Sequence, residues 1–390
     1  MPDSLAQLTD AVAGVVEPEL RAPLGELGLV RELGERWGKV RVTVGSIARD
    51  HPQGDELVRR VEASVGPLSG VRGAEVRLEP LSEADLEALG QLLRATKEPS
   101  GSTGAAQTGG SGPGQGRLGH EEGRPNPFAQ PGSRTRVIGI ASGKGGVGKS
   151  SVTVNCAVAL ARAGHSVAVL DADVYGFSIP KMVGIDRGPL VIGDLLVPPV
   201  VHQVGWVSLG LFVEEETPVI WRGPMLHKVL EQMLADTWWA NPEFLLVDMP
   251  PGTGDVALSM AQYLPRSEVL VVTTPQAAAR RVAQRSAYMA RKLKLPLRGV
   301  VENMSWFTGD DGRRYELFGS GGGQALADEL GVPLVGQVPL VPSLREGGDN
   351  GLPVTVADPA GEAAQAFSAM AKQIDRLGPS RIYRPELRVR

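Results

Sequence analysis

The chain is 390 residues long, room for two or three domains. Hydrophobic residues make up 42% and charged residues 22%, as in a soluble globular protein with a sizeable core; 40 basic against 44 acidic side chains give a formal net charge of -4, which excludes a strongly basic chain built to coat nucleic acid. The single cysteine, Cys156, excludes an internal disulfide framework and any metal site made from several of the chain's own thiolates. No apolar run approaches the roughly 18 residues of a membrane span. The start of the chain carries Asp3 and Asp10 and lacks a basic-then-apolar leader pattern, so a cytoplasmic location is expected.

Residues 1–96 read as a small α+β domain. LAQLTDAVAGVV suggests a helix, the alternation in KVRVTVGSI (39–47) a strand, DELVRRVEASVGPL a helix, GAEVRLEPL a second strand and LSEADLEALGQLLR a closing helix. Ser82 is its expected N-cap, with Asp85 completing an S-x-x-D box. With 11 basic and 16 acidic residues, 1–96 is a mildly acidic module suited to a protein partner more than to a phosphate backbone.

Residues 97–135 contain ten glycines and five prolines and no apolar periodicity. Such a stretch buries too little surface to offset its ordering entropy and reads as a flexible linker. From 136 to 376, short apolar runs alternate with helical stretches: VIGIA, SVAVLDAD, FLLVDMPPG, EVLVVTTP, LRGVVENMS and PLVGQVP. This is the pattern of an α/β domain whose mostly parallel sheet is covered on both faces. Residues 377–390 form a basic tail, RIYRPELRVR at its end; Pro385 and the lack of an apolar helical face argue against a membrane-binding helix.

The strongest motif is Gly143-Lys144-Gly145-Gly146-Val147-Gly148-Lys149-Ser150, a complete G-x-x-x-x-G-K-[ST] between an apolar strand and a helix. The glycines let backbone N–H groups wrap a phosphate at a helix N-terminus. Lys149 is expected to reach the β- and γ-phosphates and Ser150 to place its hydroxyl on Mg²⁺. The competing reading is a Rossmann G-x-G-x-x-G with Asp171 on the ribose, which needs neither Lys149 nor Ser150. Asp248, closing the run EFLLVD, is the expected carboxylate near Mg²⁺; the alternative is that it caps a loop. Asp171 and Asp173, two apart on an extended segment, share a face. One suits orienting water and the other approaching Mg²⁺, unless Asp173 is only a helix N-cap. No Asn-Lys-x-Asp follows the later strand, which ends Glu302-Asn303-Met304-Ser305, so ATP is favoured over GTP. Asn303 is either a base reader or a turn residue.

These residues resemble a known family. Lys144 makes KGGVGKS the deviant Walker A of the MinD and ParA superfamily, and DADVYGFSIP (171–180), WRGPM (221–225), DMPPGTGD (248–255), TTPQ (273–276), ENMSWF (302–307) and FGSGGG (318–323) resemble its Mrp/ApbC branch. The resemblance covers essentially 136–370. Glu17-Pro18-Glu19-Leu20 and Leu27-Gly28-Leu29-Val30 are similar to the small domain fused to bacterial Mrp proteins. The resemblance implies a P-loop fold and a slow, homodimeric ATPase that carries iron–sulfur clusters to apoproteins or works with cluster-assembly factors; the charge balance and the tail already argue against nucleic acid and membrane as partners. It also implies that Lys144 reaches the partner subunit's phosphates, that Ser151 adds a phosphate contact, that Asp173 handles water with Asp171 and Asp248 near Mg²⁺, and that residues 338–345 help enclose adenine.

One departure stands out. Many members carry C-x-x-C between the ENMS and FG motifs, where this chain reads TGDDGRR (308–314), and the small domain's usual Cys-Pro is here His51-Pro52. Asp310 and Asp311 are hard oxygen ligands, unsuited to a soft iron–sulfur centre. Cys156, in NCAVAL, reads as a buried small residue, and the five histidines show no ligand spacing, so no iron–sulfur or zinc ligand is assigned. A nucleotide-switched dimeric scaffold that holds no cluster itself is the second reading. A MinD- or ParA-like positioning ATPase is a third, disfavoured by the absence of a membrane helix and a basic patch.

Overall fold

A computed structural model of the chain describes residues 2–97, 126–130, 132–173, 176–211, 223–252 and 254–380. Most of the glycine-rich stretch 97–135, the tail beyond residue 380, and Val174, Tyr175, Trp221, Arg222 and Thr253 of the motifs above lie outside the described residues.

In chain order the elements are α1 (Pro2–Ala13), β1 (Val30–Arg36), β2 (Lys39–Ser46), α2 (Gly54–Val65), β3 (Gly73–Pro80), α3 (Glu83–Lys97), β4 (Arg136–Ser142), α4 (Lys149–Arg162), β5 (Val167–Asp171), α5 (Ile179–Met182), β6 (Leu190–Ile192), β7 (Leu195–Val197), β8 (Val200–Val201) and β9 (Val204–Ser208). There follow α6 (Gly223–Asp236), β10 (Phe244–Asp248), α7 (Asp255–Tyr263), β11 (Glu268–Thr273), α8 (Ala277–Lys292), β12 (Leu297–Asn303), β13 (Phe307–Thr308), β14 (Arg314–Tyr315), α9 (Gly322–Leu330), β15 (Leu334–Val338), α10 (Pro342–Asp349), α11 (Val354–Ala357) and α12 (Glu362–Leu377). They fall into two compact units.

The first unit comprises Met1–Pro127, Pro189–Pro198 and Asp236–Ala240. Its sheet has the order β1-β2-β3, with β1 and β2 antiparallel and β2 and β3 parallel across α2. The alternation of β2 decides its packing: Val40, Val42 and Val44 are buried, while Lys39 and Arg41 face water. Leu57, Val61 and Val65, four apart on α2, form the buried stripe of that helix. Asp85 N–H donates to Ser82 Oγ at 3.2 Å, which caps α3. The β6–β7 hairpin adds Ile192, Leu195 and Val197 to the same core, and Trp238 joins it, its indole N–H donating to Leu20 O at 2.8 Å.

The second unit is built on a sheet ordered β15-β12-β11-β4-β10-β5-β9-β8. Neighbours are parallel except β8, which pairs antiparallel with β9. One face packs on α4 and α12, where Ile138, Ile140 and Leu246 meet Val158, Phe367 and Met370. On the other face Gly139 lies against Met260 of α7: a Cβ there would stand 3.1 Å from the methionine methyl. Covered on both sides, the strands carry continuous apolar runs. α4 is buried almost all round, which explains its lack of a polar face. The carboxyl ends of the parallel strands gather Ser142, Asp171, Asp248, Thr273 and Asn303 at one rim, where α/β sheets bind ligands.

Candidate nucleotide site

The loop 143–148 leaves β4 and turns directly into α4. Gly146 and Gly148 take φ of 81° and 77°, a region that costs other residues strain. No side chain caps α4; its N-cap is Gly148 itself, so the first N–H groups of the helix point at the space inside the loop. Asn303, at the end of β12, closes the loop from behind. Its Nδ2 donates to Val147 O at 2.9 Å, and a Cβ on Gly148 would meet that nitrogen at 2.3 Å. Asn303 is 2% exposed, and its Oδ1 has no hydrogen-bond partner. It is thus more than a turn residue: it holds the loop and keeps one acceptor free.

Asp248 is the hub. Lys149 Nζ lies 2.6 Å from its Oδ2, and Ser150 Oγ donates to the same oxygen at 2.6 Å. Thr153 Oγ1 donates to Oδ1 at 2.6 Å. The Lys149 ammonium also lies 3.5 Å from Asp173 Oδ2. Asp171 receives Ser208 Oγ at 2.9 Å and the Asp173 N–H at 3.1 Å. Burial first, and then the charge of Asp248, push the Asp171 carboxyl up to about 7. Asp173 is also raised, chiefly by burial, with Lys149 pulling it back. Three carboxylates around one ammonium leave a surplus of hard negative oxygen, the donor chemistry of Mg²⁺ held through one or two carboxylates and substrate phosphates. Among the described residues no three His, Cys, Asp or Glu side chains converge as a protein-only metal site.

The structure therefore brings together Gly143, Gly145, Gly146, Val147, Gly148, Lys149, Ser150, Asp171, Asp173, Asp248 and Asn303. Lys144 is half-buried on the same loop, and its side chain makes no ion pair among the described residues. Ser151 lies in the first turn of α4, where its carbonyl accepts Asn155 Nδ2 at 3.0 Å. The segment after β15 runs beside Asn303–Trp306: Ser305 N–H bonds Val338 O at 2.9 Å and Leu340 N–H bonds Trp306 O at 2.7 Å. Thr153 and Ser208 escaped the sequence reading. Thr153 was traceable, lying on the α4 face of Lys149 and Ser150; Ser208 was not, since only strand pairing sets it opposite Asp171.

Cys156 and His51 are both withdrawn from ligand duty. Cys156 is 1% exposed on α4, and burial pushes its thiol up to about 12. In the first unit, His51 Nδ1 accepts the Gln53 N–H at 3.1 Å and Nε2 faces Glu17 Oε1 at 2.7 Å, so both ring nitrogens are engaged. The 308–314 interval spans the β13–β14 hairpin, where Tyr315 OH donates to Asp311 Oδ2 at 2.8 Å.

Residues 133–375 match the ParA family model described as NUBPL iron-transfer P-loop NTPase. The chain belongs to this family. Among its relatives, the iron-sulfur cluster carrier protein of Mycobacterium leprae is 42% identical over 362 residues, covering 91% of this chain and 88% of the relative. That of Synechocystis is 38% identical over 382 residues, covering 94% and 96%. A solved nucleotide-binding protein of Archaeoglobus fulgidus in complex with ADP shares the fold at TM-score 0.51 and 31% identity, over 60% of this chain and 91% of that one. The P-loop NTPase thus has the α/β, mostly parallel architecture expected of it, and no helix among its described residues is long and apolar enough to cross a membrane.

Proposed function

We propose that this P-loop NTPase is an iron–sulfur cluster carrier that binds and slowly hydrolyses ATP with Mg²⁺, works as a cytoplasmic homodimer, and passes clusters to apoproteins. The observation that carries the nucleotide half is the convergence of Lys149, Ser150 and Thr153 on Asp248 beneath a glycine loop. On this reading Gly143, Gly145, Gly146, Val147 and Gly148 wrap the phosphates, Lys149 moves from Asp248 to the β/γ oxygens, and Ser151 adds a contact. Ser150, Asp171 and Asp248 would hold the Mg²⁺, which would screen the phosphate charge. Asp173, its carboxyl raised but still beside Lys149, orients the water and takes its proton as the water oxygen bonds phosphorus and the ADP oxygen leaves. Lys144 reaches the partner subunit's phosphates. The free Oδ1 of Asn303 suits the amino group of adenine.

The cargo half rests on the family. Because Cys156 is buried and His51 is occupied at both nitrogens, the cluster's thiolates come from a partner protein or a small thiol. The same facts favour the scaffold as the second reading. Protein purified and reconstituted without oxygen, then desalted, tests the point. Iron and sulfide well below one cluster per dimer are expected; a near-stoichiometric, chelator-resistant cluster would overturn it. Phosphate release with Mg²⁺ and ATP, present in the parent and absent in Asp173→Ala at unchanged ATP affinity, tests the ATPase.

A further inference from the structure

α8 turns a row of small residues inward: Ala279, Ala283, Ala287 and Ala290 are buried, and Ser286 sits among them at 5% exposure. Small side chains let its backbone come close to the phosphate loop. A Cβ on Gly143 would stand 2.3 Å from Ala283 N and from Val282 C, so helix and loop meet backbone to backbone. Ser286 is the one hydroxyl of the row. A helical serine can satisfy itself on the carbonyl one turn back. Ser286 instead reaches out of the helix, its Oγ lying 3.1 Å from Ser142 O and 3.1 Å from Gly252 O. One proton serves both carbonyls as a three-centre bond.

The two carbonyls belong to different working parts. Ser142 ends β4 immediately before the phosphate loop, and Gly252 lies in the loop that follows Asp248. They are also joined directly: Gly252 N–H donates to Ser142 O at 2.8 Å. Gly252 makes that bond at φ 96°, a conformation a side chain would resist. The Ser286 hydroxyl thus closes a three-way junction of α8, the root of the phosphate loop and the loop after Asp248.

We infer that Ser286 is a positioning residue for ATP turnover, pinning the loop after Asp248 to the root of the phosphate loop. The inference rests on the reading of the site as an ATPase. The ground-state grip on the phosphates belongs to Gly143 and residues 145–151, and the Ser286 hydroxyl bonds none of these, its two acceptors being Ser142 O and Gly252 O. What it sets is the place of Asp248 and its following loop relative to that grip, a relation that matters when the γ-phosphate reacts.

Ser286→Ala is a clean probe, since alanine already fills the rest of the row and only an oxygen is lost. The full-length variant is expected to bind a non-hydrolysable ATP analogue within about twofold of the parent, while kcat falls about tenfold, as sub-ångström misplacement produces. Hydrogen exchange at the Gly252 amide should quicken. Parental kcat in the variant would overturn the inference, whatever the exchange at Gly252. So would a loss of ATP affinity as large as the loss of kcat, which would make Ser286 a prop of the phosphate loop. Turnover by the parent separates this from the ATPase reading. Absent in the parent, it removes both; present and equal in Ser286→Ala, it removes this inference alone.

Discussion

Thr153 donates its hydroxyl to Asp248 Oδ1 at 2.6 Å, with both side chains out of contact with water. The contact ties α4 to the strand that ends in Asp248, and it leaves Oδ2 to Lys149 and Ser150. Removing a donor from a buried charged acceptor costs about 1–3 kcal/mol. Thr153→Val keeps the shape and loses the donor. Urea denaturation should show a loss of stability of that order with an unchanged m-value, and turnover should fall as Asp248 loses its fixed orientation. A fully stable, fully active variant would show that Asp248 is held well enough by its other oxygen.

Lys149 pairs with Asp248 at 2.6 Å and Asp173 at 3.5 Å, and its charge also acts on Asp171. Lys149→Ala is expected to weaken ATP binding by about 3 kcal/mol, on the order of a hundredfold in Kd. Titration with a fluorescent ATP analogue measures it. Equal affinity in variant and parent would mean that the phosphates sit elsewhere.

Asp171 gives the pH dependence a sign. Its carboxyl is raised from an ordinary 3.8 to about 7 in the folded protein, so between those values the native state binds more protons than the unfolded chain. Its contribution therefore favours folding at low pH and is lost as pH rises through that window. In EDTA, Asp171→Asn should flatten the fall in stability between about pH 4 and pH 7 seen by thermal unfolding. A parent slope of the same size in the variant would assign the titration to another group.

How much of this site was legible in the sequence depended on whether its parts are neighbours in the chain. Residues 143–150 carry their geometry locally, because the glycines, the lysine and the following helix form one continuous element. Asp171, Asp248 and Asn303 were traceable as the last residues of apolar runs, since each parallel strand delivers its end to the same rim. Ser208 and β9 were not, because VGWVS is short, interrupted by Gly205, and gains its meaning only beside β5. The β6–β7 hairpin and Trp238 were equally hidden: nothing local says that Ile192 or Trp238 completes a core begun by Leu20 and Leu24.

Lys144 has no ion-pair partner among the described residues although it lies in the phosphate loop. Lys144→Ala should keep ATP affinity near the parent's, because Lys149 supplies the local cation, yet lose nucleotide-dependent dimerisation and most turnover. Sedimentation with and without a non-hydrolysable analogue provides the measurement. A variant that dimerises and hydrolyses like the parent would leave Lys144 as a surface charge.

On the proposed function, ATP use at the Lys149–Asp248 site drives delivery of a cluster that this chain does not ligate by itself. The most direct measurement is anaerobic transfer of a [4Fe–4S] cluster, supplied with a small thiol, to an apo acceptor enzyme, followed by recovery of the acceptor's activity. With the parent chain, Mg²⁺ and ATP should speed recovery over the same mixture without nucleotide, and Lys149→Ala should abolish the gain. Recovery at one rate with parent, variant or no added chain would contradict the claim.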